Sequence, residues 1–175
     1  NTAPVISCPA NITISCQASQ LPANTGTATA SDNCDATPVI SYSDVTTSGS
    51  CPGNYIITRT WIATDDCSNS STCNQVITVQ DVTAPVLTCP ANITVNCQDS
   101  KLPANTGTAT ATDNCDLTPV ITYTDLTTTG SCPGNYTITR TWRAEDDCGN
   151  SSTCNQTVTV QDITAPVITC PINIT

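Results

Sequence analysis

The sequence has no His, no Met and no Phe, and its aromatic residues are two Trp and four Tyr in 175 residues. Without His, the Ser–His and Cys–His pairs that activate nucleophiles have no base. Four Lys/Arg stand against fourteen Asp/Glu, a net charge of −10. So few cations exclude nucleic-acid binding as a main role, because phosphate recognition needs clustered Lys/Arg. They also argue against a polybasic membrane-surface role. No apolar run is long enough to insert in a membrane, and no helix-sized window carries apolar residues at helical spacing.

What is present is repetition. Thr-Ala-Pro-Val begins at Thr2, Thr83 and Thr164, a period of 83 − 2 = 81 residues. Residues 2–82 and 83–163 are identical at 62 of 81 positions, with no insertion. Such register marks a tandem array. The organisation expected is residues 1–82 as repeat 1, 83–163 as repeat 2, and 164–175 as the first strand of an incomplete third repeat. The absence of an initiating Met and the stop inside a repeat suggest a section of a longer chain, so targeting segments are out of view.

Thr supplies 35 residues, and residues branched at Cβ favour pleated strands. Turn signals divide each repeat. In repeat 1 strands are expected over 4–16 (broken near Pro9), 26–30, 38–47, 54–64 and 72–81. The pattern predicts an all-β fold: tandem immunoglobulin-like β-sandwiches, stapled by disulfides.

Thirteen Cys fall as six per repeat plus Cys170. With no His and no Cys-x-x-Cys, zinc is disfavoured. A small repeat with few aromatics has a thin core, for which disulfides compensate in oxidising compartments. In an immunoglobulin-like sandwich Cys8 and Cys73 begin the parallel first and last strands. Cys34 and Cys67 end two strands at the same pole, and Cys16 and Cys51 lie at the other. The pairs expected are Cys8–Cys73, Cys16–Cys51 and Cys34–Cys67, with Cys89–Cys154, Cys97–Cys132 and Cys115–Cys148 as their copies. Other connectivities stay open on sequence alone. Cys170 has no assigned partner.

Facing follows from comparing the copies of the long strand. Tyr55, Ile57, Arg59, Trp61 and Ala63 remain apolar or identical in the second repeat, whereas Ile56 and Ile62 become Thr137 and Arg143. The first set therefore points inward. Arg59 is expected to pair with Asp44 beside Trp61, a structural role rather than a ligand anchor.

The strings Thr-Ala-Thr-Ala-Ser-Asp-Asn-Cys-Asp (27–35), Thr-Arg-Thr-Trp-Ile-Ala-Thr-Asp-Asp-Cys-Ser-Asn (58–69) and Asp-Val-Thr-Ala-Pro-Val (81–86) resemble hyalin-repeat (HYR) domains. They are most similar to the cysteine-rich tandem versions in secreted multi-repeat proteins of Bacteroidota-like bacteria. The resemblance covers both repeats and implies an immunoglobulin-like fold with a role in adhesion or extracellular scaffolding, without catalysis. The extra cysteines and the Arg in the long strand depart from the animal hyalin pattern.

Acidic residues gather in the predicted polar loops. Asp113, Asp116, Asp146 and Asp147 face the incoming linker, which carries Asp81. These five either ligate an interdomain Ca²⁺, a cation that takes several carboxylate and carbonyl oxygens, or cap turns by accepting backbone amides. Asp65-Asp66 and Asp146-Asp147 are poor glycosidase pairs, because adjacent strand residues point to opposite faces. Asn-x-Ser/Thr occurs at Asn11, Asn69, Asn92, Asn135, Asn150, Asn155 and Asn173. In a eukaryotic secreted chain these are glycosylation candidates.

The function expected is a secreted or cell-surface structural repeat forming a rod, stalk or filament, with copies of itself as partners. It is not expected to be an enzyme, to bind nucleic acid or to enter a membrane. The alternatives are an adhesin recognising carbohydrate or protein, its binding supported by Ca²⁺, and a spacer for a distant domain.

Overall fold

Alternating Thr/Val segments form short strands wherever Pro, Gly and Asx turns release them, and a computed structural model describes residues 2–170. In repeat 1 these are β1 (Val5–Ser7), β2 (Ile12–Ser15), β3 (Thr29–Ser31), β4 (Val39–Ser48), β5 (Tyr55–Thr64) and β6 (Ser70–Gln80). One helical turn, α1 (Pro22–Thr25), stands where a loop was expected. Proline at its start presets φ, and the amide of Gly26 closes it on the carbonyl of Pro22 at 2.8 Å.

β1 and β3 form an antiparallel two-stranded sheet. The larger sheet has the order β2–β6–β5–β4. β2 runs parallel to β6, and β5 is antiparallel to both β4 and β6. The smaller sheet lies over the larger, β1 packing against β5 and β6. Buried between them are Ala28, Ile57, Trp61, Ala63, Ile77 and Val79. Alternation along β5 puts Ile57, Arg59, Trp61 and Ala63 inside, with their neighbours at least partly exposed.

Repeat 2 reproduces this set as β7 (Val86–Thr88), β8 (Ile93–Asn96), α2 (Pro103–Thr106), β9 (Thr110–Thr112), β10 (Val120–Thr129), β11 (Tyr136–Glu145) and β12 (Ser151–Gln161). Its sheets are β7–β9 and β10–β11–β12–β8. Its core is Ala109, Ile138, Trp142, Ala144, Val158 and Val160. The all-β sandwich fold expected from the sequence is therefore present twice.

The compact units do not follow the repeat boundaries. One takes the chain to Pro85 together with Thr112–Pro119 and Glu145–Ser151; the other takes Val86–Ala111, Val120–Ala144 and the chain from Ser152. Two loops of repeat 2 thus belong to the first unit, held there by covalent bonds described below. Residues 164–170, the described part of the expected third repeat, are in no strand. Residues 171–175, including Asn173, lie outside the described residues.

Candidate functional site around the Cys16–Cys115 and Cys51–Cys148 bonds

Four disulfides are present. Cys8–Cys73 and Cys89–Cys154 join β1-side and β6-side chain within each repeat, with Cα atoms 5.9 and 6.0 Å apart. The other two correct the expected pairing. Cys16 is bonded to Cys115 and Cys51 to Cys148, with Cα separations of 6.2 and 5.2 Å.

The sheet order supplies the reason. Cys16 follows β2 and Cys51 follows β4, and these strands are the two edges of one four-stranded sheet. Three interstrand steps place such edges about 14 Å apart, well beyond the roughly 7 Å that a disulfide spans. Cysteines assigned to one pole thus lie at opposite edges of the sheet. Each is met instead by a loop from repeat 2. Cys115 is the copy of Cys34 and Cys148 the copy of Cys67, so those two are not bonded to each other as expected. Cys34, Cys67, Cys97, Cys132 and Cys170 carry free thiols, all exposed except the half-buried Cys97. The expected Cys34–Cys67 and Cys97–Cys132 pairs are therefore not formed either. Cys97 and Cys132 repeat the edge-to-edge geometry of Cys16 and Cys51, while Cys34 and Cys67 line one shallow cavity without bonding.

Polar contacts seat the loops. Gln17 Nε2 donates to the Asn114 carbonyl at 2.9 Å. Asn150 Nδ2 donates to the Asp81 carbonyl at 3.3 Å. Gly53 must lack a side chain, since a Cβ there would lie 2.8 Å from Asp81 Cβ and 3.3 Å from Cys148 Sγ.

Of the five acidic residues singled out, the fold brings three together. One carboxylate oxygen each from Asp81, Asp113 and Asp146 lie within 4.8 Å of one another. Asp81 and Asp146 are both only 5% exposed. Asp116 and Asp147 are outside this group. Asp116 is buried, accepting the Thr118 amide at 2.8 Å and the Asp147 amide at 3.1 Å, and Asp147 itself is exposed.

Turn capping occupies much of the cluster. Asp113 Oδ1 accepts the amides of Cys115 and Asp116 at 2.8 and 2.9 Å. Asp146 accepts from Cys148 and Asn150. Yet Asp113 Oδ2 is buried with no hydrogen-bond partner. Burial, reinforced by the charges of Asp113, Asp146 and Asp116, raises the Asp81 carboxyl above the ordinary carboxylate range despite the Thr83 amide it accepts.

Away from this site, Arg59 is 1% exposed and held by four hydrogen bonds. It grips Asp44 through two bonds of 2.8 Å and donates to Thr25 Oγ1 and the Gln20 carbonyl, each at 2.8 Å. Its guanidinium lies 4.4 Å from the Tyr42 ring centroid and 5.8 Å from that of Trp61. Arg140 repeats the arrangement with Asp125, Thr106, Lys101 and Tyr123. The expected structural pairing is thus formed, with four of the five N–H donors of each arginine engaged inside its own repeat.

Five of the seven sequon asparagines are also structurally engaged. Asn11, Asn92 and Asn135 accept backbone amides through their side chains, and Asn69 and Asn150 donate to Asp65 and Asp146.

No family model matches the chain, and no curated protein does. Among solved structures it is similar to the EC1–4 region of Drosophila N-cadherin, at 13% identity and a TM-score of 0.39, covering 92% of this chain and 50% of that one. It is also similar to EC1–2 of human mucin-like protocadherin, at 11% identity and a TM-score of 0.37, covering 91% of this chain and 98% of that one. The chain spans half the length of the N-cadherin structure. Similarity at this level decides nothing about ligand or partner. No helix among the described residues is long and apolar enough to cross a membrane.

Proposed function

We propose that the chain is a section of an extracellular structural array in which each repeat is covalently stitched to the next, serving as rod, stalk or filament. The observation that carries this is the pair of bonds Cys16–Cys115 and Cys51–Cys148, which link residues 99 and 97 apart. A disulfide inside one repeat stabilises that repeat; one between repeats restrains the joint. Two such covalent ties between successive repeats suit transmission of load rather than display of a separate binding domain. Disulfides of this kind persist only in oxidising, extracytoplasmic surroundings. Near-identity of the repeats supports the same reading, because identical joints propagate regularly. Electron microscopy of surface material from cells that make the protein tests it: unbranched rods or filaments of constant width are expected. Isolated flexible strings would instead favour the adhesin or spacer alternatives.

The clustered carboxylates of Asp81, Asp113 and Asp146, two of them buried, support Ca²⁺ as a second fastener at this joint. Like charges gathered in this way are costly alone, and a hard cation accepts that donor set, including the unpartnered Asp113 Oδ2. Calorimetric titration of the disulfide-intact chain with CaCl₂ tests it: saturable binding is expected, lost in D81N. No heat above dilution would remove the ion from the account.

A further inference from the structure

The two edges of each larger sheet are unlike. β2 and β8 are edges of only four residues, and β2 runs directly into Cys16, which is bonded to Cys115. The opposite edges, β4 and β10, are ten residues long. Among the described residues each pairs on one side only, with β5 and β11 respectively. In an antiparallel ladder alternate residues turn their backbone N–H and C=O groups away from the partner. Each long edge therefore offers a row of open donors and acceptors.

Natural sheets blunt such edges with Lys, Pro, bulges or inward-pointing charge. β4 and β10 contain no Lys and no Pro, and β4 pairs with β5 through ten consecutive residues without a bulge. Their one charge apiece, Asp44 or Asp125, is bound to Arg59 or Arg140. It is thus neither repulsive nor left unpaired when the edge is covered. Apolar side chains are also on display: Val39, Tyr42 and Val45 are 67, 42 and 64% exposed, and Val120, Tyr123 and Leu126 are 61, 42 and 68% exposed. These positions stay large and apolar in both repeats, whereas Ile56 and Ile62 on the outward face of β5 become Thr137 and Arg143.

Charge selects the occupant. The chain carries −10, so two copies repel through most of their surface, and a basic partner is drawn to the Asp-rich loops instead. β4 and β10 carry no free charge, which lets two copies meet there without that cost. Two identical edges are self-complementary about a two-fold axis when antiparallel, and rows of Thr, Ser and Val suit cross-strand pairing. We infer that β4 and β10 are lateral docking edges for a second copy of this chain, which adds its own β4 or β10 antiparallel through main-chain hydrogen bonds. Edge pairing is independent of the stitched joint: disulfides link repeats along a chain, and the edges link chain to chain.

The test uses the whole chain with its disulfides formed and its free thiols capped by N-ethylmaleimide, so that no new disulfide joins copies. Sedimentation velocity should show association that grows with protein concentration and is strengthened by salt, which screens the net repulsion. Hydrogen exchange should show residues 39–48 and 120–129 gaining protection as concentration rises. V45K/L126K, at two exposed positions, should unfold at the parental temperature yet stay monomeric. I56K/T137K, on the outward face of β5 and β11, makes the same change of net charge (−10 + 2 = −8) and should associate at least as well as the parent. Edge pairing is overturned if the parent stays monomeric in high salt, if V45K/L126K associates like the parent, or if protection appears outside the two strands. A monomeric parent whose β4 amides are protected only by added cell-surface extract would assign the edge to a different partner, and overturns it too. A disulfide map of the same sample keeps the two levels apart, since Cys16–Cys115 and Cys51–Cys148 are expected whether or not the copies associate.

Discussion

Cys51 is bonded to Cys148, 97 residues further along the chain, with their Cα atoms 5.2 Å apart. The β4–β5 turn that carries Cys51 is thereby fastened to the β11–β12 turn of the following repeat. Loop-closure entropy rises only logarithmically with length, so this bond should stabilise about as much as Cys8–Cys73, whose separation is 65 residues. The two values differ by about 0.4 kcal/mol within totals of about 4–5 kcal/mol. Urea titration of C51S/C148S and C8S/C73S should show comparable losses. A C51S/C148S chain as stable as the parent would mean the bond restrains nothing.

Arg59 and Asp44 form a two-bond ion pair in which the arginine is 1% and the carboxylate 32% exposed. Hydrogen bonding to Asp44 holds the guanidinium above its ordinary pKa, so it stays charged throughout the accessible range. R59A also removes the donors to Thr25 Oγ1 and the Gln20 carbonyl and opens a gap beside Trp61. Because Asp44 retains some water, the expected cost is about 3 kcal/mol, at the lower end for broken buried pairs. R59A/D44A should lose less than the sum of the single losses, read by chemical denaturation in a double-mutant cycle.

Gly53 packs directly on Asp81 and Cys148. G53A forces backbone and disulfide apart and should cost about 1–3 kcal/mol, with slower closure of Cys51–Cys148 during oxidative refolding. Quenched-thiol mass spectrometry follows that closure, and parental kinetics would contradict the packing.

Asp81 gives the pH dependence a definite sign. Its folded pKa is raised, chiefly by burial and then by Asp113, Asp146 and Asp116. The folded state therefore binds the extra proton, and the ionisation penalty is absent below the ordinary carboxylate pKa. It grows as pH rises through the folded value. In metal-free buffer D81N should be more stable than the parent at neutral pH, with the gain vanishing in acid. Added Ca²⁺ should reverse the order at neutral pH. Thermal unfolding with and without chelator reads both effects.

The sequence made the strands legible because turn residues and Thr/Val alternation act locally. The inward row Ile57–Arg59–Trp61 and the Arg59–Asp44 pair followed from comparing the two copies, and the parallel course of first and last strands from the sandwich fold assigned to them. The joint was not legible. An 81-residue period makes Cys34 and Cys115 equivalent in sequence, so spacing alone does not tell a partner within the repeat from one in the next. What separates them is the position of β2 and β4 at opposite edges of one sheet, a non-local fact. The acidic cluster was half visible for a related reason: Asp116 and Asp147 share loops with Asp113 and Asp146, but local amide bonds hold the Asp116 carboxylate and leave Asp147 facing solvent.

The central claim is that repeats are stitched to one another, and disulfide mapping tests it most directly. Native chain, alkylated without reduction, digested and sequenced by mass spectrometry, should yield peptides joining Cys16 to Cys115 and Cys51 to Cys148. Peptides joining Cys16 to Cys51 and Cys115 to Cys148 would place every bond inside a repeat and contradict the account.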